Sequence, residues 1–167
     1  MTVHTLVQRL VTWWALAAGV VLLLIVLVTT INVTAFSMDK IARLFDGGVS
    51  GLPGYEDFVD LAAGVAGLML MPYCQLRRGH VAVDLFTAMA PRAVQKALDL
   101  VSLIAVAALT LFLAYWMAVG LAETRADGVL SPVLGWPVWP FYLPGVVSLL
   151  LWAAVAGMQA FARDADG

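Results

Sequence analysis

Four ionisable side chains, Arg77, Arg78, His80 and Asp84, lie close together in the stretch QLRRGHVAVDLF of an otherwise apolar chain. His80 and Asp84 are four residues apart, so a helix would place them on one face, where they can pair. A histidine beside a carboxylate can act as a general base, but such chemistry also needs a nucleophile and a pocket, and the neighbouring residues supply neither. The residues alone therefore favour two arginines that anchor a helix end, Gly79 as its left-handed terminal residue, and a local ion pair.

The composition indicates that these charges belong to a membrane protein. Of the 167 residues, 63% are hydrophobic and 12% are charged, whereas soluble domains carry about 25% charged residues. The formal net charge of −2 gives no basic field that would attract nucleic acid. One cysteine, Cys74, excludes an internal disulfide, and two histidines, His4 and His80, leave little for a metal cluster. We expect no cofactor.

Uncharged runs predict four membrane spans, near residues 10–31, 57–76, 98–122 and 141–161. The first run has 22 residues, which at 1.5 Å per residue reach about 33 Å and cross a ~30 Å hydrocarbon core. It is also too long for the apolar region of a cleaved signal peptide. The second run is short, so its helix is expected to begin near Glu56. The acidic side chains Glu56, Asp57 and Asp60 would then lie in its first turns, where the helix dipole favours them.

The segments between the spans predict short interfacial elements. The stretch NVTAFSMDKIARLF is interpreted as a helical extension of the first span, and the residues after Gly79 as a short amphipathic helix at the interface. The proline-rich stretch SPVLGWPVWPFYLPG predicts an irregular interfacial segment before the fourth span. The expected fold class is an all-α integral membrane protein, with four transmembrane helices in a single membrane domain over residues 1–167.

The distribution of basic residues predicts the orientation of the chain. Four spans place both termini on one side of the membrane, together with the loop between the second and third spans. That side carries six basic residues, which are Arg9, Arg77, Arg78, Arg92, Lys96 and Arg163. The opposite side carries three, which are Lys40, Arg43 and Arg125. The excess predicts that both termini face the cytoplasm.

The spans themselves contain almost no ionisable side chains, although such groups usually mark a transport pathway. This pattern is typical of a scaffold rather than of a conduit. Small residues recur at four-residue spacing, as in Ala63 and Gly67, or Ala153 and Gly157. They allow close helix approach. Packing within the chain and docking on another membrane subunit explain these pairs equally well.

Two motifs resemble the small membrane subunit, or Q subunit, of tripartite ATP-independent periplasmic (TRAP) transporters, the DctQ-like family. In that family an acidic segment opens the second span, as LPGYEDFVD does here, and Glu56 and Asp57 stand in for its acidic pair. The span ends in a pattern similar to R-x-G-H-(I/V)-x-V-D. The residues of this chain that carry the match include Arg77, Gly79, His80, Val83 and Asp84. The proline-rich segment before the fourth span is longer than the family pattern.

The resemblance implies a non-enzymatic subunit of a bacterial inner-membrane transporter, surrounded by lipid. Its partners would be a large multi-span permease (M) subunit, which holds the substrate and sodium sites, and a periplasmic substrate-binding protein that delivers an organic acid. The small subunit would brace the permease and contribute to docking, with Lys40, Arg43 and Arg125 as candidate binding-protein contacts. Arg77, His80 and Asp84 would form a cytoplasmic polar knot between the second and third spans.

Two other functions compete with this interpretation. A haem or quinone anchor of an oxidoreductase would need histidines that face inward within the spans, but His4 precedes the first span and His80 lies in a loop. A small autonomous carrier that assembles as an oligomer would transport solute by itself.

Overall fold

The computed structural model describes residues 3–43, 48, 50–77 and 91–164. They form four α-helices, which are α1 (Val3–Ala42), α2 (Tyr55–Leu76), α3 (Arg92–Ala126) and α4 (Tyr142–Asp164). All four are long and apolar enough to cross a membrane. This confirms the predicted all-α fold with four helices suited to membrane spans. The interfacial helix expected after Gly79 lies outside the described residues.

Helix α1 is longer than the span predicted within it. The first uncharged run and the expected extension form one continuous helix of 40 residues, which is about 60 Å long at 1.5 Å per residue. That is roughly twice the hydrocarbon thickness of a bilayer. The helix therefore extends beyond the apolar layer, and its last turn carries Lys40.

Helix α2 begins at Tyr55, close to the predicted start at Glu56. The residue before it, Gly54, has φ +75° and ends the preceding turn in the left-handed region that glycine tolerates best. Glu56 and Asp57 occupy the first turn, where a negative charge interacts favourably with the helix dipole. The glycine before Tyr55 and the acidic residues after it therefore both favour a helix start at this position.

The four helices form an open layer in the order α1, α2, α4, α3. Helix α1 packs on α2, α2 on α4 and α4 on α3, with a smaller contact between α1 and α4. The inner helices are the better covered. In their most apolar windows, 28% of α2 and 33% of α4 is buried, against 6% of α1 and 11% of α3. Most of the apolar surface of α1 and α3 consequently faces outward.

Contacts between helices show the direction of each one. The Trp14 indole N–H of α1 donates to the Ser148 hydroxyl of α4 at 2.9 Å. Gln75, near the end of α2, contacts Gln159, near the end of α4. Helix α2 is therefore parallel to α4. Farther along α1 than Trp14, Val21 lines the same crevice as Pro144, which precedes Ser148 in α4, so α1 is antiparallel to α4. We call the end with Val3, Arg77, Pro91 and Asp164 the terminal end. The end with the segments 43–54 and 127–141 is the connector end.

Small residues make the closest helix contacts. The buried apolar side chains of the described residues are mostly alanines and valines, including Ala62, Ala66, Val155 and Ala156. A Cβ atom on Gly145 of α4 would collide with the Met117 side chain of α3. Membrane helices gain their packing energy from such close approach. The layer is therefore stabilised mainly by close contacts at small side chains rather than by large buried ones.

The segment before α4 is more ordered than the predicted irregular segment. Leu130 and Pro137 form an antiparallel β-bridge, and the Val138 N–H donates to the Val129 carbonyl at 3.1 Å. We call residues 129–138 the connector hairpin. A short 3₁₀ turn, Trp139–Phe141, then leads into α4.

Candidate functional site

The connector end is organised around the Asp57 carboxylate. One carboxylate oxygen, Oδ2, accepts the backbone N–H groups of Val133 and Leu134 at 2.8 and 2.9 Å. Asp57 is 8% exposed, so the bonds replace water that the carboxylate has lost. Hydrogen bonds to an ionised acceptor are shorter and stronger than neutral ones. Asp57 thus fastens the start of α2 to the tip of the connector hairpin.

The hairpin supplies its own support for this contact. Ser131 is buried, and its hydroxyl accepts the Trp136 N–H at 3.1 Å, while the Ser131 N–H donates to the Trp136 carbonyl at 2.8 Å. The Ser131 side chain also lies beside the Asp57 carboxylate and favours its ionised form. Gly135, at φ +64°, completes the turn. These contacts give the hairpin tip one defined shape.

The other two acidic residues predicted at the start of α2 have different surroundings. Glu56 and Asp60 are exposed, whereas Asp57 is buried. The three carboxylates look alike in the sequence, but only Asp57 lies on the side of α2 that faces the hairpin. Asp57 is therefore a structural carboxylate, whereas Glu56 and Asp60 are surface carboxylates.

A second polar contact joins α1 to the first connector. Asn32 is fully buried, and its Oδ1 accepts the Leu52 N–H at 2.9 Å. A Cβ on Gly51 would lie 2.5 Å from that Oδ1 and 3.2 Å from the Phe36 ring. Only glycine leaves room for the backbone to approach Asn32 so closely. The sequence interpretation missed Asn32, although an amide within an apolar helix is a signal of buried hydrogen bonding.

The two connectors also touch each other. A Cβ on Gly54 would lie 2.5 Å from Cγ of Leu134. The first connector is held by Asn32 on α1, and the hairpin by Asp57 on α2. The close approach of Gly54 and Leu134 therefore connects the two attachments.

The candidate cationic contacts at this end have different environments. Arg43 is 75% exposed and pairs with Asp39 at 2.8 Å, one turn earlier in the chain. The Arg125 guanidinium lies over the Trp139 ring, 5.0 Å from its centroid. Lys40 is exposed near the end of α1. The structure places all three at the connector end but does not gather them into one cluster, and their contact with a binding protein stays a prediction.

At the terminal end, only the first residue of the arginine motif can be placed. The Arg77 Nε donates to the Tyr73 hydroxyl at 3.1 Å, and its guanidinium lies over the same ring. Arg78, Gly79, His80 and Asp84 fall outside the described residues. The proposed polar knot between Arg77, His80 and Asp84 therefore stays a prediction.

A glutamine network next to Arg77 was not predicted. The Gln75 amide donates to Oε1 of Gln159 at 2.9 Å, and the Gln159 amide donates to the Gln75 carbonyl at 3.0 Å. The Trp152 indole N–H donates to Oε1 of Gln75 at 3.1 Å. Gln75 is 6% exposed. This network ties the ends of α2 and α4 together and satisfies a carbonyl in the last turn of α2.

The small-residue pairs divide between the two explanations left open above. Ala153 is buried within the layer, which indicates packing inside the chain, whereas a Cβ on Gly157, the other member of its pair, would meet nothing within 4 Å. Ala63 and Gly67 are exposed, and a Cβ on Gly64 or Gly67 would meet nothing within 4 Å. The middle of α2 thus presents an open, small-residue surface to its surroundings.

An open crevice of about 280 Å³ lies between α1, α2 and the start of α4. Its walls are apolar and include Val21, Phe58, Ala62, Phe141 and Pro144. Sites for carboxylate substrates need polar or cationic groups, so this crevice does not match an organic acid. Among the residues that the structure describes, no group of three or more His, Cys, Asp or Glu side chains could hold a metal ion.

Comparison with known proteins identifies the family. No curated protein and no solved structure matches the chain. A family model described as tripartite ATP-independent periplasmic transporters, DctQ component, matches residues 41–167, about three quarters of the chain. The match includes the connectors and α2–α4, and it favours a transporter component over an oxidoreductase anchor. The chain belongs to the DctQ family, the small membrane component of TRAP transporters.

Proposed function

We propose that this chain is the static, non-transporting subunit of a sodium-driven transporter for organic acids. It braces the large permease subunit in the bacterial inner membrane and helps to dock a periplasmic substrate-binding protein. The terminal end lies in the cytoplasm and the connector end in the periplasm. The excess of basic residues at the terminal end supports this orientation.

One observation carries the bracing role: four of the six buried polar side chains among the described residues hydrogen-bond to a different helix or connector, namely Asn32, Asp57, Gln75 and Ser148. Ser148 links α1 to α4, the pair of Gln75 and Gln159 links α2 to α4, and Asp57 links α2 to the hairpin. Polar groups on a transport pathway would have to exchange partners with the solute and its ions. Polar groups fixed in such ties instead hold the helices in one arrangement.

The open layer also leaves helix faces uncovered, and these faces can contact a partner subunit. Helices α1 and α3 are largely exposed, and α2 presents Gly64 and Gly67 near the middle of one face. Glycines in a membrane helix allow the backbone of a partner helix to approach closely. We propose that this face of α2 contacts the large permease subunit.

The proposal is tested by replacing Gly67 with leucine. The open space around Gly67 predicts that the chain still folds, because a Cβ at this position meets no atom within 4 Å and the position is exposed. The bulk would nevertheless keep a partner helix away, so co-purification of the large subunit with a tagged small subunit should fall about tenfold. Ala122→Leu, at an exposed position near the end of α3, is the matched control and should co-purify normally.

Normal co-purification of Gly67→Leu would refute this contact face. The wider proposal fails if this chain alone, reconstituted in liposomes, transports an organic acid. That result would support the autonomous carrier instead.

A further inference from the structure

The crevice between α1, α2 and the start of α4 has a floor and two walls. Phe58 and Val65, two turns apart on one face of α2, lie on the floor. Val21 and Leu24 of α1 form one wall, and Pro144 with its neighbours at the start of α4 forms the other. The lining side chains that the structure describes are all apolar, so the crevice suits a hydrocarbon ligand.

The depth of the crevice places it inside the membrane. Ala62, on the floor, lies in the first turn of the uncharged run that follows the exposed Asp60 of α2. Toward the terminal end, α1 and α4 come together at the hydrogen bond between Trp14 and Ser148, one turn beyond Pro144. The crevice therefore lies in the connector-side half of the hydrocarbon layer.

We propose that this crevice binds one acyl chain of a phospholipid from the connector-side leaflet. The bound chain packs between α1 and α4, which share only a small direct contact, and so helps to hold α1 in the layer. This lipid site is separate from the contact proposed for the large permease subunit, and its test does not depend on that contact.

The direction in which the crevice opens favours lipid over the permease. With 3.6 residues per turn, Gly67 lies about 180° around α2 from Phe58 and about 160° from Val65. The exposed face of α2 that contains Gly67 is therefore on the opposite side of the helix from the crevice. A permease bound to the Gly67 face leaves the crevice open to the surrounding lipid.

The size of the crevice also favours a lipid chain over a protein segment. An α-helix with its side chains is about 10–12 Å wide. A cylinder of that width would fill the crevice volume of about 280 Å³ with only ~3 Å of its length, the rise of roughly two residues. A partner helix therefore cannot be seated there, and a water-soluble protein does not reach the hydrocarbon layer. A single acyl chain is narrower and needs no polar partner.

The chemistry of the site predicts how the chain is held. Bulk lipid is as apolar as the crevice, so the chain gains van der Waals contacts rather than hydrophobic energy. Binding should then depend on the shape of the crevice, and it should be insensitive to the phospholipid headgroup because the described lining residues carry no charge.

The test uses the full chain with its large subunit in lipid nanodiscs. The nanodiscs contain a phosphatidylethanolamine that carries a diazirine near the end of one acyl chain, and mass spectrometry locates the photolabel. We expect label at Phe141 and Pro144, measured relative to Leu150, an exposed residue of α4. Leu24→Trp and Val65→Phe fill the crevice from two different helices. Each should lower the relative labelling about tenfold, the scale expected when the chain loses its van der Waals contacts.

The matched control is Leu23→Trp, which adds the same side chain one residue earlier in α1. Leu23 is 70% exposed and does not line the crevice, so labelling should stay within about twofold of the parent. Replacing the probe by a phosphatidylglycerol with the same diazirine chain should also leave labelling within about twofold, because no charged group selects the headgroup.

Three results would overturn the proposal. The first is labelling in both filling variants that is no lower than in Leu23→Trp. The second is label that appears in the small subunit alone but disappears when the large subunit is bound, which would assign the crevice to a permease side chain. The third is a strong preference for one headgroup. None of these results bears on the permease contact, which Gly67→Leu tests separately by co-purification.

Discussion

The network of Gln75 and Gln159 gives a quantitative test of how the layer is held together. Methionine has nearly the length of glutamine but forms no comparable hydrogen bonds. Gln159→Met would therefore keep the packing and remove two bonds, one from the Gln75 amide at 2.9 Å and one to the Gln75 carbonyl at 3.0 Å. Gln75→Met would remove the first of these, together with the bond from Trp152.

The expected magnitude follows from the number of bonds lost. Side-chain hydrogen bonds between membrane helices contribute about 0.6 kcal/mol on average and up to ~1.7 kcal/mol. Each single substitution breaks two bonds, so it should lower the free energy of unfolding by about 1–3 kcal/mol. The two substitutions share one bond. The double variant should therefore lose less than the sum of the singles, by about 0.6–1.7 kcal/mol.

The free energy of unfolding can be measured on the full chain in lipid bicelles by steric trapping. Gln8→Met is the control, because the Gln8 side chain makes no hydrogen bond within the described part of the chain. The reasoning is refuted if Gln159→Met loses no more stability than Gln8→Met. Strict additivity of Gln75→Met and Gln159→Met would also refute it, since the bond between the two amides would then carry no energy.

Two further substitutions test the connector end and the terminal end. Gly54→Ala should lower the free energy of unfolding by about 1–3 kcal/mol, because φ is +75° and the new Cβ would press on Leu134. Gly64→Ala, in open space within α2, should be neutral or stabilising by up to about 1 kcal/mol in the same measurement. His80→Ala and Asp84→Ala should reduce co-purification of the large subunit if both residues take part in the polar knot, and wild-type assembly in both variants would exclude it.

The boundaries of α2 and the identity of the spans could be read from the sequence because the determinants are local. An uncharged run of sufficient length satisfies its backbone only as a helix in lipid, and the glycine before Tyr55 with acidic residues after it sets the start of α2. The hairpin was not predicted. Its closure depends on the pairing of Ser131 with Trp136 and on a carboxylate more than seventy residues earlier in the chain.

The sequence by itself determined that this protein is a four-helix membrane subunit, and its motifs indicated the family. It could not show which of Glu56, Asp57 and Asp60 is buried and hydrogen-bonded, because three carboxylates within two turns of a helix have the same local chemistry. The tertiary structure decided between them, since the rotation of α2 against its neighbours turns only Asp57 toward the connector hairpin. The pairing of Gln75 with Gln159 was decided in the same way, because the parallel course of α2 and α4 brings together two amides that are distant in sequence.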